Sequence, residues 1–168
     1  MKNGTSSVSR VEELFVSLRK HDFTLATAES CTGGLVGGKI TSVPGSSAYY
    51  AGGIIAYANR IKISRLEVQE SLLADRGAVS GEVAEAMARG AANLLDTELA
   101  LSTTGIAGPG GGTEEKPVGL VYSAVFSPQG SEVSENNFTG SRREIRQKTV
   151  DNLLELACGH LSSIKNAK

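Results

Sequence analysis

Five of the eight residues from 105 to 112 are glycine, within Thr103-Thr104-Gly105-Ile106-Ala107-Gly108-Pro109-Gly110-Gly111-Gly112-Thr113, and the run follows directly on the apolar Leu99-Ala100-Leu101. Glycine gives up more backbone entropy on folding than any other residue. A domain carries it at this density where the main chain must turn sharply or lie against a ligand. A loop of this kind at the end of a strand is expected to do both, offering N–H groups and threonine hydroxyls to an anionic group.

With 168 residues and 40% apolar content the chain suits one domain, 1–168, that buries a core. It has no tryptophan and few aromatics, so that core must come mainly from Val, Ile, Leu and Ala. A net charge of −1 argues against a general nucleic-acid binder, which needs a surplus of Lys and Arg to track phosphates. Cys31 and Cys158 form no CxxC pair, which suggests a reducing compartment without a disulfide framework. Residues 1–7 lack the apolar run of a signal peptide, and no segment approaches the ~20 apolar residues of a membrane span. The expectation is a cytoplasmic protein with no membrane partner and with loose ends at 1–6 and 165–168.

Apolar spacing predicts a helix over 8–19, with Val8, Val11, Phe15 and Leu18 on one face and Ser7 as cap. Strands follow at 23–28 and 49–58, with a short helix at 35–41 between them and Gly52-Gly53 as a bulge or close-contact point. Ser80 caps a long helix whose buried face is Val83, Met87, Ala91 and Leu94. A strand at 99–103 enters the glycine loop. A hairpin pairs 118–126 with 131–138. Ser141 opens a last helix carrying Ile145, Leu153, Leu156 and Ile164. Helices interleaved with strands imply a layered α/β domain, and the late hairpin makes its sheet mixed.

Two glycine-containing loops, 29–34 and 104–113, follow strands, and ligands of open α/β sheets bind beyond the carboxyl ends of the strands. The first loop opens a helix, where free N–H groups favour a phosphate, so Ser30, Thr32, Gly33 and Gly34 are candidate binding residues. The bland alternative is a tight turn with no ligand, and the segment matches neither GxGxxG nor a Walker A loop. His21 and His160 lie near helix ends, away from both loops, and read as exposed residues, which leaves no Ser-His-Asp triad. No His, Cys, Asp and Glu cluster has the spacing of metal ligands. Lysine is then the candidate base: Lys62, beside Arg60, follows a strand that ends near Tyr57, with Ser30, Ser46 and Ser47 as candidate nucleophiles. A Ser–Lys pair works only where the ammonium is desolvated or stands beside another cation. The competing reading of Arg60 and Lys62 is a solvated basic turn, and of Cys31 a buried structural thiol. Arg142, Arg143 and Arg146 open the last helix, where cations sit poorly with the helix dipole, so they either hold an anion or are ordinary surface.

Six stretches in order resemble the CinA C-terminal domain family: Ala28-Glu29-Ser30-Cys31-Thr32-Gly33-Gly34, Pro44-Gly45-Ser46-Ser47, Gly53 through Lys62, Gly77-Ala78-Val79-Ser80, Thr104 through Pro109, and Gly111 through Gly119. The resemblance runs from about residue 8 to 162. It implies a three-layer α/β/α sandwich and a nicotinamide-nucleotide amidohydrolase. Such enzymes convert nicotinamide mononucleotide to nicotinate mononucleotide and ammonia in pyridine nucleotide salvage, without metal or organic cofactor. It further implies a homo-oligomer, and the chain looks like the family's stand-alone form. Carried over by motif, Lys62 is the base, Tyr57 assists it, and Ser47 or the competing Ser30 is the nucleophile. Thr104, Gly105, Gly108 and Gly111 hold the nucleotide, and Arg142, with Arg146, meets its phosphate or carboxamide region. The family's Gly-Asp-Arg element reads Gly140-Ser141-Arg142 here, and its Leu-Gly-Val reads Leu66-Glu67-Val68. Two other classes compete with this reading: a nucleotide-binding module without catalysis, and a DNA-linked role that the net charge disfavours.

Overall fold

The computed structural model describes residues 9–164. The first helix, α1 (Arg10–His21), is capped by Ser9, whose hydroxyl accepts from the Glu12 N–H while the Glu12 carboxylate accepts from the Ser9 N–H. Such a capping box stabilises a helix start by about 1 kcal/mol. The expected start and cap, Val8 and Ser7, lie outside the described residues, as do the ends 1–6 and 165–168. Then come β1 (Leu25–Glu29), α2 (Leu35–Thr41), a single 3-10 turn at Ser46–Ala48, β2 (Tyr50–Ile55), α3 (Asn59–Leu66), α4 (Glu70–Arg76), α5 (Gly81–Leu95) and β3 (Leu99–Gly105). The hairpin β4 (Leu120–Ser127) and β5 (Gly130–Asn137) precedes α6 (Arg142–Ser163).

The five strands form one mixed sheet in the order β2-β1-β3-β4-β5. β1 pairs in parallel with both β2 and β3, while β3 to β4 and β4 to β5 are antiparallel. The first three strands therefore end on the same side. Register slips by one residue between Leu25 and Ala26, which pair with Tyr50 and Gly52, so the glycine pair does mark an irregularity.

Helices cover both faces of the sheet, giving the expected three-layer α/β/α sandwich. The two faces differ because strand residues alternate in size. Leu25, Leu99, Leu101 and Val125 point to one side and pack on Val11, Leu14 and Leu18 of α1, Val36 and Ile40 of α2, and Leu153 and Leu154 of α6. Ala26, Ala28, Ala100 and Ala124 point to the other and let the alanine-rich α5 lie close, with Val83, Met87 and Ala91 buried. Close approach is obligatory at Gly90, where an added Cβ would collide with the Leu66 carbonyl.

Four expectations need correction. Residues 59–76 hold two helices, α3 and α4, where a basic turn was one reading; neither has a side-chain N-cap, which removes the usual signal of a helix start. Leu94 is 49% exposed rather than part of the buried face of α5. The strand expected over 49–58 stops at Ile55. His160 is only 8% exposed, with Nε2 at 2.8 Å from Ser127 Oγ and Nδ1 at 3.3 Å from Glu132 Oε2, tying α6 to the β4–β5 hairpin. This Ser-His-Glu row is structural: Ser127 Oγ is buried and also donates to the Gly130 carbonyl.

Candidate active site

Ser30 follows the end of β1, Gly105 closes β3, and Tyr57 lies two residues beyond β2. The parallel pairing of these strands brings all three to one cavity of about 220 Å³, whose walls also include Cys31, Asn59, Lys62, Ala78, Val79, Thr104, Ala107 and Arg142. It lies at the carboxyl ends of the parallel strands, where α/β sheets bind ligands. A larger groove of about 370 Å³ along α5 holds Glu85 paired with Arg89, Glu82 paired with Arg76 and the exposed Glu67, and no nucleophile–base pair.

Lys62 stands one turn into α3, and its side chain is only 1% exposed. Its Nζ donates to Ser30 Oγ at 3.1 Å, to the Ala56 carbonyl at 2.8 Å and to the Tyr57 carbonyl at 3.4 Å. No carboxylate pairs with it among the described residues. Burial pushes the ammonium below the usual lysine range, against a smaller opposing pull from Cys31. The first turn of a helix disfavours a cation as well. The solvated basic turn is thus overturned for Lys62, while Arg60 is exposed.

Ser47 does not join this site. The Leu25 N–H donates to the Tyr49 carbonyl, so the turn Ser46–Ala48 lies beside the start of β1, whereas Ser30 lies past its end. With a rise of ~3.3 Å per strand residue, the length of β1 separates the two serines by on the order of 17 Å. Of the three candidate serines, Ser30, Ser46 and Ser47, the structure brings only Ser30 to Lys62. Cys31 is buried, and desolvation raises its thiol pKa to about 11, so it is a structural thiol rather than a nucleophile.

The expected phosphate cradle at the start of α2 is occupied from within. The buried Glu29 carboxylate accepts from Thr32 Oγ1 at 2.7 Å and from the N–H groups of Gly34, Val36 and Gly37 at 2.9, 3.0 and 2.8 Å. The protein's own anion fills the place where a ligand phosphate was expected. Thr32 is fully buried, with its hydroxyl 2.8 Å from Thr103 Oγ1, so Thr32, Gly33 and Gly34 shape the loop and do not line the cavity. Sequence reasoning assigned Glu29 no role; the nearest signal was an acidic residue just before a Thr-Gly-Gly helix start.

Tyr57 is 60% exposed, and its hydroxyl accepts from Arg142 Nη2 at 2.9 Å; the group that touches Lys62 is its main-chain carbonyl. Arg142 Nη1 donates to the Gly108 carbonyl at 2.8 Å, so this arginine joins the glycine loop to Tyr57 across the cavity mouth. Arg146 sits outside the lining residues: its Nη2 donates to the Thr32 carbonyl at 2.6 Å, and its buried Nε has no partner. Of the glycine loop, Gly105 and Ala107 line the cavity; Gly108 reaches it through Arg142, and Gly111 does not line it. Thr104 Oγ1 donates to the Ala78 carbonyl at 2.7 Å. The lining residues Asn59, Ala78, Val79 and Ala107 were given no role: they lie within the stretches that carry the family resemblance, but no sequence spacing ties them to Ser30.

Residues 8–161 match the model of the CinA C-terminal domain. The chain belongs to this family. A CinA-like protein of Desulfotalea psychrophila is 51% identical over 140 residues, which cover 83% of this chain and 34% of that protein. The chain spans about a third of the length of the curated relatives it matches. The crystal structure of the competence/damage inducible protein CihA from Agrobacterium tumefaciens is 39% identical with a TM-score of 0.84, covering 92% of this chain and 97% of that one. That of the competence damage-inducible protein A from Klebsiella pneumoniae is 28% identical with a TM-score of 0.89, covering 93% and 97%. The CinA fold of this chain thus carries a buried lysine–serine pair at a cavity. No helix among the described residues is long and apolar enough to cross a membrane, and no three His, Cys, Asp or Glu side chains among them converge as metal ligands.

Proposed function

We propose that this CinA-family domain is an amidohydrolase that deamidates nicotinamide mononucleotide, as the family resemblance implies. The observation that carries the reading is the 3.1 Å contact between Lys62 Nζ and Ser30 Oγ inside a cavity, with the lysine desolvated. Serine is a weak nucleophile until a base takes its proton, and a lysine serves only when burial makes its neutral form accessible.

In the first half-reaction, neutral Lys62 takes the Ser30 proton while Oγ bonds to the carboxamide carbon. Cys31 lines the cavity directly after the nucleophile, and on this reading its main-chain N–H donates to the developing oxyanion. One such donor contributes about 3–4 kcal/mol of transition-state stabilisation in comparable sites. As the tetrahedral adduct collapses, the C–N bond breaks, the Lys62 ammonium returns its proton to the nitrogen, and ammonia leaves. In the second half-reaction Lys62 takes a proton from water, hydroxide adds to the acyl ester, and Ser30 leaves reprotonated with the nicotinate carboxylate released. No step calls for a metal or organic cofactor. On this reading Arg142, which lines the cavity, meets the nucleotide phosphate, whose remote binding energy orients the amide.

The test is ammonia release from nicotinamide mononucleotide by the purified protein beside Ser30→Ala and Lys62→Ala. The reading expects turnover by wild type that both substitutions remove. Saturable binding without turnover by wild type would instead favour a nucleotide-binding module.

A further inference from the structure

Lys116 lies far from the chemistry in sequence, yet its ammonium is fastened to the cavity wall. Nζ donates to the carbonyls of Arg76 and Val79, both at 2.7 Å, and none of the described carboxylates pairs with it. The two carbonyls bracket the segment Gly77-Ala78-Val79. Arg76 is the last residue of α4, where the helix dipole and an orphan carbonyl both favour a cation. Val79 immediately precedes Ser80, the N-cap of α5. Gly77 between them has φ +72, and a Cβ there would lie 3.1 Å from Nζ, so the ammonium rests against bare backbone.

The rest of the segment is held by other means. Ala78 O accepts from Thr104 Oγ1 at 2.7 Å, and Gly77 O accepts from Ser80 Oγ at 3.1 Å. Lys116 is itself set by a reciprocal turn: its N–H donates to Thr113 Oγ1 at 3.0 Å, and the Thr113 N–H donates to its carbonyl at 2.8 Å. The α4–α5 connection is therefore gripped by two side chains from the glycine-loop region, Thr104 at Ala78 and Lys116 at Arg76 and Val79. That connection supplies the cavity's apolar wall, Ala78 and Val79, while Ser30 and Lys62 supply its reactive groups.

We infer that Lys116 is a positioning residue, which holds the Ala78–Val79 wall at the spacing that seats the flat pyridine ring of the substrate against Ser30. The inference rests on the amidohydrolase reading for its substrate, and on the two carbonyl bonds alone for its mechanics. Lys116 touches no reacting atom, so it acts on substrate seating rather than on the proton transfers.

The experiment compares wild type, Lys116→Met and Lys116→Arg. Met keeps the length of the side chain and removes its donors; Arg restores donors of the same charge. Lys116→Met raises KM for nicotinamide mononucleotide about tenfold and leaves kcat within about twofold, and Lys116→Arg brings KM back to within about threefold of wild type. In the full chain without substrate, Lys116→Met speeds hydrogen exchange at the amides of 77–80 by about tenfold or more, with β1 and β3 unchanged. A wild-type KM in Lys116→Met, or exchange that rises equally through the whole sheet, overturns the inference. If wild type releases no ammonia, the amidohydrolase reading fails, and the exchange comparison alone decides whether Lys116 holds the wall.

Discussion

Lys62 Nζ donates a 3.1 Å hydrogen bond to Ser30 Oγ across 32 residues of sequence. Two structural events create the pair. The parallel alignment of β1 with β2 brings the end of one strand beside the end of the other, so that the Ala56 N–H donates to the Glu29 carbonyl at 2.8 Å. The chain then turns into α3, whose first turn carries Lys62 back over the Ala56 and Tyr57 carbonyls. The lysine is held by two main-chain acceptors and a hydroxyl, a polar but uncharged setting in which its neutral form is reachable.

That pairing separates the two serines experimentally. Ser30→Ala and Lys62→Met lower the rate of ammonia release by about a thousandfold or more, the scale seen when one member of a nucleophile–base unit is removed. Ser47→Ala stays within about twofold of wild type, because its turn lies at the other end of β1.

Protonation of Lys62 sets a pH limb. Its pKa lies below the ordinary 10.5, and only the neutral amine accepts the Ser30 proton, so kcat/KM rises with pH along a limb that ends below that value. Stability follows the same sign. Between the lowered folded value and the unfolded value the unfolded chain binds more protons, so unfolding free energy increases with pH there. Urea unfolding at a series of pH values checks this: wild type gains stability across that window, and Lys62→Met loses the gain.

Glu29 is predicted to be a stability residue. Its carboxylate accepts four hydrogen bonds inside the protein. Glu29→Gln points an amide N–H₂ at groups that are themselves donors, which costs about 2–4 kcal/mol. Urea denaturation measures the loss, and added phosphate does not restore it. Phosphate rescue would mean that the α2 cradle binds external anions after all.

Arg142 offers a substrate-dependent effect. Arg142→Ala raises KM for the nucleotide about tenfold, the loss of one charge-assisted phosphate contact, and leaves turnover of the phosphate-free riboside unchanged. Equal effects on both substrates would instead assign Arg142 to bracing Tyr57 and Gly108, the two acceptors it binds here.

Gly90→Ala tests the helix–sheet spacing. The new Cβ would meet the Leu66 backbone, which cannot rotate aside. Overpacking of this kind costs about 1–3 kcal/mol, and because Leu66 ends the helix that carries Lys62, activity declines with stability in a parallel thermal and kinetic assay.

Much of this molecule was legible in its residues. Apolar spacing placed α1, α5 and α6, the paired strand patterns at 118–126 and 131–138 placed the hairpin, and the alternation of helices with strands implied the layered mixed sheet, because these signals are local and repeat with the period of the element. The glycine loop and the ordered family motifs pointed to a small-ligand site with Lys62, Ser30, Tyr57, Thr104, Gly105 and Arg142 among its candidates. Only the tertiary structure brought Ser30 rather than Ser47 beside Lys62, buried Lys62, filled the α2 cradle with Glu29, drew Ala78 and Val79 to the cavity and set Lys116 on their backbone. Each of these depends on strand order and register, which join residues tens of positions apart, and on desolvation, which exists only once the layers have closed. The glycine run at 105–112 marked where a ligand would lie, and the parallel ends of β1, β2 and β3 determined which side chains meet it there.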